Sequence, residues 1–305
     1  MLWMELVLGL ALLGFGGDIL VKGAVRVAQK LKISPLLIGI VLVGFGTSTP
    51  ELITTFMAIF QTPPATGLAV GNIIGSNIVN ILLVLGLTAA ISPVLVNKKS
   101  FRRDGIFLAL SGLLLAFCLI LGIINFWMGL VMVATLIGYV TYSYFQEREL
   151  PQALDKDAYT GPTLHAICTT ILGIAMTLLG ARWLVNSSVA IATMFGVSDT
   201  IIGLTVIAVG TSLPEIATSI IASIQHHNEI AFGNIVGSNI YNALFILGFV
   251  ALFRPIQIPA NLEISFAIMA AATLGMLLFG RMGRISRIAG VILLLCYGGY
   301  LYWLI

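Results

Sequence analysis

The chain has 305 residues, 59% of them hydrophobic and only 9% charged, with a net charge of +3. Soluble domains carry about 25% charged residues, so this composition excludes a water-soluble fold and points to an all-α integral membrane protein. The small positive balance points to no nucleic-acid partner.

A spanning helix needs about 20 mostly apolar residues. On that criterion ten spans are predicted: 3–22, 35–60, 67–91, 104–122, 126–145, 163–185, 199–224, 230–252, 263–280 and 286–304. The first lacks the basic start and small-residue cleavage site of a removable signal and reads as a retained helix. Within it, Asp18 and Lys22 are four residues apart and can pair. The three cysteines, Cys118, Cys168 and Cys296, lie in apolar runs without paired spacing and imply no disulfide framework or zinc site.

Basic residues cluster in alternate connections: Lys22, Arg26, Lys30 and Lys32 in the first, Lys98, Lys99, Arg102 and Arg103 in the third, Arg148 and Lys156 in the fifth, Arg281, Arg284 and Arg287 in the ninth. Only Arg182 and Arg254 map towards the opposite side, Arg182 where it can snorkel to the external interface. Positive residues favour the cytoplasmic face. Both termini are therefore expected outside a cell (plasma or inner) membrane, with a mixed-charge cytoplasmic linker at 151–162.

Two segments recur. Residues 34–51 read SPLLIGIVLVGFGTSTPE and 198–215 read SDTIIGLTVIAVGTSLPE, while 71–80 (GNIIGSNIVN) match 233–242 (GNIVGSNIYN). The repeats divide the chain into halves at 1–150 and 163–305. Five spans in each half would make the second half enter from the opposite side, an inverted repeat of the kind many secondary transporters use.

The first motif places Gly44, Thr47, Ser48, Pro50 and Glu51 in the middle of an apolar run, and Ala208, Thr211, Ser212, Pro214 and Glu215 at the equivalent positions. Glycine and proline there predict a broken helix, with Pro50 and Pro214 opening its second half. Irregular backbone at that depth is tolerated only where it is buried in protein or lines a cavity. A mid-membrane glutamate costs about 3 kcal/mol to insert, and two at matching positions are explained by a cation between them. Hard cations such as Ca²⁺ and Na⁺ take carboxylate, carbonyl, hydroxyl and amide oxygens, which the motifs supply. A purely structural account remains open: Ser48-x-x-Glu51 and Ser212-x-x-Glu215 fit the capping-box pattern.

In the second motif Asn72, Ser76 and Asn80 share one helix face, as do Asn234, Ser238 and Asn242. Gly71-x-x-x-Gly75 and Gly233-x-x-x-Gly237 allow close helix approach. These polar residues can line a site or act as interhelical hydrogen bonds. Of these, the resemblance that follows favours Ser76, Asn80, Ser238 and Asn242 over Asn72 and Asn234 as ligands.

These paired segments resemble the alpha-repeats of the calcium/cation antiporter superfamily, specifically its prokaryotic sodium/calcium exchangers, with alpha-1 motifs within 39–86 and alpha-2 motifs within 203–248. The resemblance spans both halves. It implies that Glu51 and Glu215 are shared by the calcium and sodium sites and that Thr47 and Thr211 add oxygens. Ser48, Ser76, Ser212 and Ser238 would form flanking sodium sites, Asn80 and Asn242 the central position, and the carbonyls of Gly44 and Ala208 backbone ligands. It also implies alternating access, with the first and sixth helices sliding against the rest. Asparagine at 242, where some members have aspartate, matches the potassium-independent pattern. The short linker leaves no room for a large regulatory calcium-binding domain.

The implied function is Na⁺/Ca²⁺ exchange, with Ca²⁺ and Na⁺ as transported ions, no cofactor and no obligatory protein partner beyond the lipid bilayer. Cation/H⁺ antiport is the alternative, because a desolvated carboxyl can carry a proton. A channel, or an intramembrane enzyme using His226-His227-x-Glu229, fits less well. Those histidines fall in a short loop, and His165 stands alone near a helix start.

Overall fold

The computed structural model describes residues 2–148, 159–196, 208–259 and 262–304. Most of the predicted linker, and the first part of the predicted span 199–224, lie outside the described residues. Among them, eight helices are long and apolar enough to cross a membrane, and a bent pair brings the number to nine. The helices are α1 (Leu2–Leu31), the bent pair α2 (Pro35–Thr47) and α3 (Thr49–Phe60), α4 (Thr66–Ile91), α5 (Lys98–Leu121), α6 (Phe126–Arg148) and α7 (Thr163–Met194). A helical turn at Ala208–Gly210 precedes the short apolar helix α8 (Leu213–Ile224), followed by α9 (Asn228–Phe253), α10 (Glu263–Gly280) and α11 (Arg287–Leu304).

Several helices outrun their apolar stretches. The first continues from the predicted end at 22 to Leu31, because Arg26 and Lys30 extend it as polar turns. It stops at Lys32, whose φ of 54° leaves the helical region. The fourth span starts at Lys98 rather than 104, where the Asn97 side chain accepts from the amides of Lys99 (2.9 Å) and Ser100 (3.4 Å). It ends at Gly122, whose φ of 70° suits a residue without a side chain.

Burial sorts the helices into layers. In α4 and α9, 78% and 83% of the most apolar window is buried, whereas the other long helices bury 22% to 33%. The helices α4 and α9, which carry the second motif, therefore lie at the centre, and the other single long helices present apolar faces outward, as lipid exposure requires. α1 packs mainly along α7. A Cβ at Gly9 would come within 2.9 Å of the Gly180 carbonyl, and one at Gly16 within 2.8 Å of the Thr177 amide. Lipid gives helices no hydrophobic drive to associate, so such close backbone approach carries the packing.

The Gly233–Gly237 pair behaves the same way: a Cβ at Gly237 would sit 2.7 Å from Ile40 Cα. The matching Gly71–Gly75 pair does not. A Cβ at Gly75 meets nothing within 4 Å among the described residues, so the expected close approach is present at one pair only.

Two short antiparallel ladders join the connecting loops. β1 (Val94–Leu95) pairs with β4 (Arg284–Ile285), and β2 (Ile123–Ile124) pairs with β3 (Ile256–Gln257). Because α5 runs from β1 to β2, the ladders lie at its opposite ends, and α10 runs back from β3 to β4. Deeper in, Asp104 is fully buried. It accepts from Arg103 Nε (2.6 Å) and the Tyr139 hydroxyl (3.1 Å), tying α5 to α6.

Candidate cation site

The helix pair α2 and α3 bends by 45° around Ser48, in the middle of the apolar run. Pro50 sits in the first turn of α3, where its missing N–H costs nothing. Pro214 stands likewise in the first turn of α8. Both breaks therefore occur where glycine and proline predict them, and each opens a helix that carries a glutamate one residue after the proline. Among the described residues, three stretches wind into wider π-turns: Gly39–Gly44, Asn80–Leu85 and Tyr241–Ile246. Such turns are rare and concentrate at functional sites. Gly44, Asn80 and Asn242 all fall within them.

Glu51, Glu215, Thr47, Asn80, Ser212, Ser238 and Asn242 are fully buried, and Ser48 and Ser76 are 3% exposed. Gly44 is buried, Thr211 partly so. Ala208 heads the helical turn before Thr211. The nominated side chains converge. Ser76 donates to Glu51 Oε1 at 2.9 Å, and Thr211 also hydrogen-bonds Glu51. Ser48 and Ser238 donate to Glu215 Oε1 at 3.3 and 3.4 Å, and Thr47 lies within hydrogen-bond reach of the same carboxylate. Each glutamate is thus held by a serine on its own half and by a hydroxyl from the other. Ser76 and Ser212 are 3.3 Å apart, and the Gly44 carbonyl accepts from Ser238 at 3.3 Å.

The capping-box account does not survive. Neither Ser48 nor Ser212 makes a side-chain cap to its helix. Their hydroxyls turn instead to Glu215 and Ser76.

The asparagines divide into two roles. Asn72 donates to the Glu51 carbonyl (3.3 Å) and to Thr55 (3.2 Å), and Asn234 to the Glu215 carbonyl (3.4 Å) and Ser219 (2.9 Å). These two brace the glutamate-bearing helices, as interhelical hydrogen bonds. Asn242 donates to Ser76 (3.3 Å) and to Asn77 Oδ1 (3.0 Å). Asn77, which in turn donates to the Asn239 carbonyl (3.3 Å), was not among the nominated residues. Its presence in both copies of GSN was the available signal.

The donor chemistry fits a hard cation. Glu51 Oε2, Glu215 Oε2, Asn80 Oδ1 and Asn242 Oδ1 are buried acceptors without a hydrogen-bond partner among the described residues. A buried acceptor left unpaired costs about 1–3 kcal/mol, more when charged, and the two carboxylates repel each other. A cation with oxygen ligands answers both. No group of three or more His, Cys, Asp or Glu suited to a metal occurs among the described residues.

Comparison with known proteins agrees with this chemistry. The family model described as sodium/calcium exchanger protein matches residues 1–145 and 165–305. CaxA of Alkalimonas amylolytica, provisionally named an antiporter, is 38% identical over 97% of this chain and 96% of its own. The sodium/calcium exchanger MaX1 of Methanosarcina acetivorans is 32% identical over 97% and 96%. A solved structure of the sodium-calcium exchanger NCX_Mj, soaked with zero Na⁺ and Ca²⁺, superposes with a TM-score of 0.85 at 30% identity. It covers 100% of this chain and 99% of that one. Exchangers rather than enzymes surround this sequence, and the chain belongs to the sodium/calcium exchanger family of multi-pass membrane proteins.

Proposed function

We propose that the chain exchanges Na⁺ for Ca²⁺ across a cell membrane by alternating access. The observation that carries this reading is the pair of buried glutamates. Each is hydrogen-bonded by hydroxyls from both halves, Glu51 by Ser76 and Thr211 and Glu215 by Ser48 and Ser238, and each keeps a second oxygen without a partner among the described residues.

Glu51 and Glu215 are the shared ligands. Asn80 and Asn242 line the central position, and Thr47 and Thr211, with the carbonyls of Gly44 and Ala208, complete the oxygen set. One Ca²⁺ neutralises two carboxylates. Sodium ions do the same from subsites flanked by Ser48 and Ser238 near Glu215 and by Ser76 and Ser212 near Glu51. Either load discharges the same pair, so the loads exclude each other, and the empty charged site resists crossing. More than two sodium ions per calcium makes the cycle electrogenic.

The architecture that suits this cycle is ten helices in two inverted halves, 1–150 and 163–305. Support comes from the ladders. α4 leads into β1 and its repeat counterpart α9 leads into β3, which lie at opposite ends of α5. Matching helices thus end at opposite faces. The basic loops put the β1–β4 face in the cytoplasm and both termini outside.

The Na⁺ assignment over H⁺ rests on the hydroxyl-rich ligand set and on the relatives named sodium/calcium exchangers. The test is ⁴⁵Ca²⁺ uptake into sodium-loaded proteoliposomes. Sodium-driven uptake is expected. Equal uptake driven by a pH gradient without sodium would move the assignment to cation/H⁺ antiport.

A further inference from the structure

Away from the cation site, a cleft of about 490 Å³ opens between the start of α5 and the end of α10. Its rim carries Lys98, Arg102 and Arg281, and no carboxylate lines it. All three cations are exposed, and none has an ion-pair partner among the described residues. Below the rim the lining turns apolar. Ile106 and Ala109 follow Lys98 and Arg102 down one face of α5, and Leu277 faces them from α10.

Gly105 opens the groove between them, since a Cβ there would meet Leu277 Cδ2 at 2.8 Å. The rim is fixed rather than loose. The β1–β4 ladder and the Val96 amide, which donates to the Gly283 carbonyl at 3.0 Å, hold the two loops together.

Three cations at one face of the membrane, above an apolar groove running into it, have the shape of a phospholipid with an anionic headgroup. We propose that this cleft binds one anionic phospholipid of the leaflet at the β1–β4 face, its phosphate among Lys98, Arg102 and Arg281 and one acyl chain along Gly105 and Leu277. Basic clefts between membrane helices attract such headgroups. A free phosphate would satisfy the rim but has no use for the groove.

The test reconstitutes the full chain in phosphatidylcholine vesicles with a minor fraction of phosphatidylglycerol. The protein is re-extracted in mild detergent, and retained lipid is counted by native mass spectrometry. One phosphatidylglycerol is expected in preference to phosphatidylcholine, falling at least about tenfold in K98Q/R102Q/R281Q. Gly105→Leu, which fills the groove and leaves the charges, should lose the lipid too. K30Q/K32Q, which removes the same kind of charge elsewhere, should keep it. R102Q/R281Q serves if the triple variant elutes aggregated. Equal retention of both lipids, full retention in the charge variants, or equal loss in K30Q/K32Q would overturn the proposal. So would displacement by inorganic phosphate with Gly105→Leu unaffected.

Discussion

Ser48 and Ser212 stand where a serine ordinarily caps a helix, yet both hydroxyls turn towards the carboxylate region. Leaving a helix start uncapped costs about 1 kcal/mol, so the diverted hydroxyls point to a ligand role. Removing the central charges should be decisive: Glu51→Gln and Glu215→Gln are each expected to reduce sodium-dependent ⁴⁵Ca²⁺ uptake to background. Ser238→Ala should weaken sodium activation by about tenfold, the size of one hydrogen bond to a charged group, and lower the Hill coefficient for sodium. Asn72→Ala should slow uptake but keep that coefficient, because Asn72 holds helix α3 rather than an ion.

His227 is half-buried, and burial together with His226 lowers its pKa below the usual 6.5. It is therefore mostly neutral above that pH, and any pH dependence of transport between 6.5 and 8 should survive H227A. Most of this candidate site was legible because each candidate oxygen donor occurs twice at matching spacing. Asn77 escaped because the stripe Asn72, Ser76, Asn80 describes one face of α4. Asn77 lies one step round the helix, and its importance comes from α9 crossing there.

Among the elements, α1 and α7 are joined by glycines. A wedge there should be costly where an exposed glycine is not. Gly9→Val would press on the Gly180 carbonyl, and overpacking of this kind costs about 1–3 kcal/mol. Gly14, with nothing within 4 Å of its Cβ, should accept alanine without change. Thermal unfolding of the two variants in detergent checks the contrast. The seam joins two helices far apart in sequence, the pair that the resemblance names as the sliding elements. Helix positions were readable from hydropathy, but their ends were not. Apolar runs mark the hydrocarbon layer, whereas α1 and α5 extend through charged turns that belong to the interface. Which glycine pairs meet was also hidden, since Gly71–Gly75 and Gly233–Gly237 read alike and only the latter has a close neighbour among the described residues.

For the molecule as a whole, the proposed electrogenic exchange would make transport a function of voltage. Each net charge moved is worth about 2.3 kcal/mol per 100 mV. An inside-negative potential should therefore accelerate sodium-entry-driven calcium extrusion, measurable in vesicles clamped with potassium and valinomycin. Identical rates at all potentials would mean that the charges moved in each direction balance. The class of molecule was legible from 9% charged residues and two repeats. The layering was not, because α4 and α9 are no more apolar than their neighbours. Their mean hydropathies of 2.0 and 1.8 fall within the 1.4 to 2.3 of the other single spans, yet of these eight described spans only α4 and α9 are mostly buried.

The two ladders also bear on how the chain is made. Each joins a strand before residue 125 to one after 255, and Glu51 takes hydrogen bonds from both Ser76 and Thr211. Synthesis delivers the first half without its edge partners and with a carboxylate that lacks its full set of donors. Neither half is a finished object, and completion of the frame waits for the last two helices, whose connection carries the closing strand β4. A ribosome that stalled before residue 284 would leave a frame that this chain cannot complete by itself.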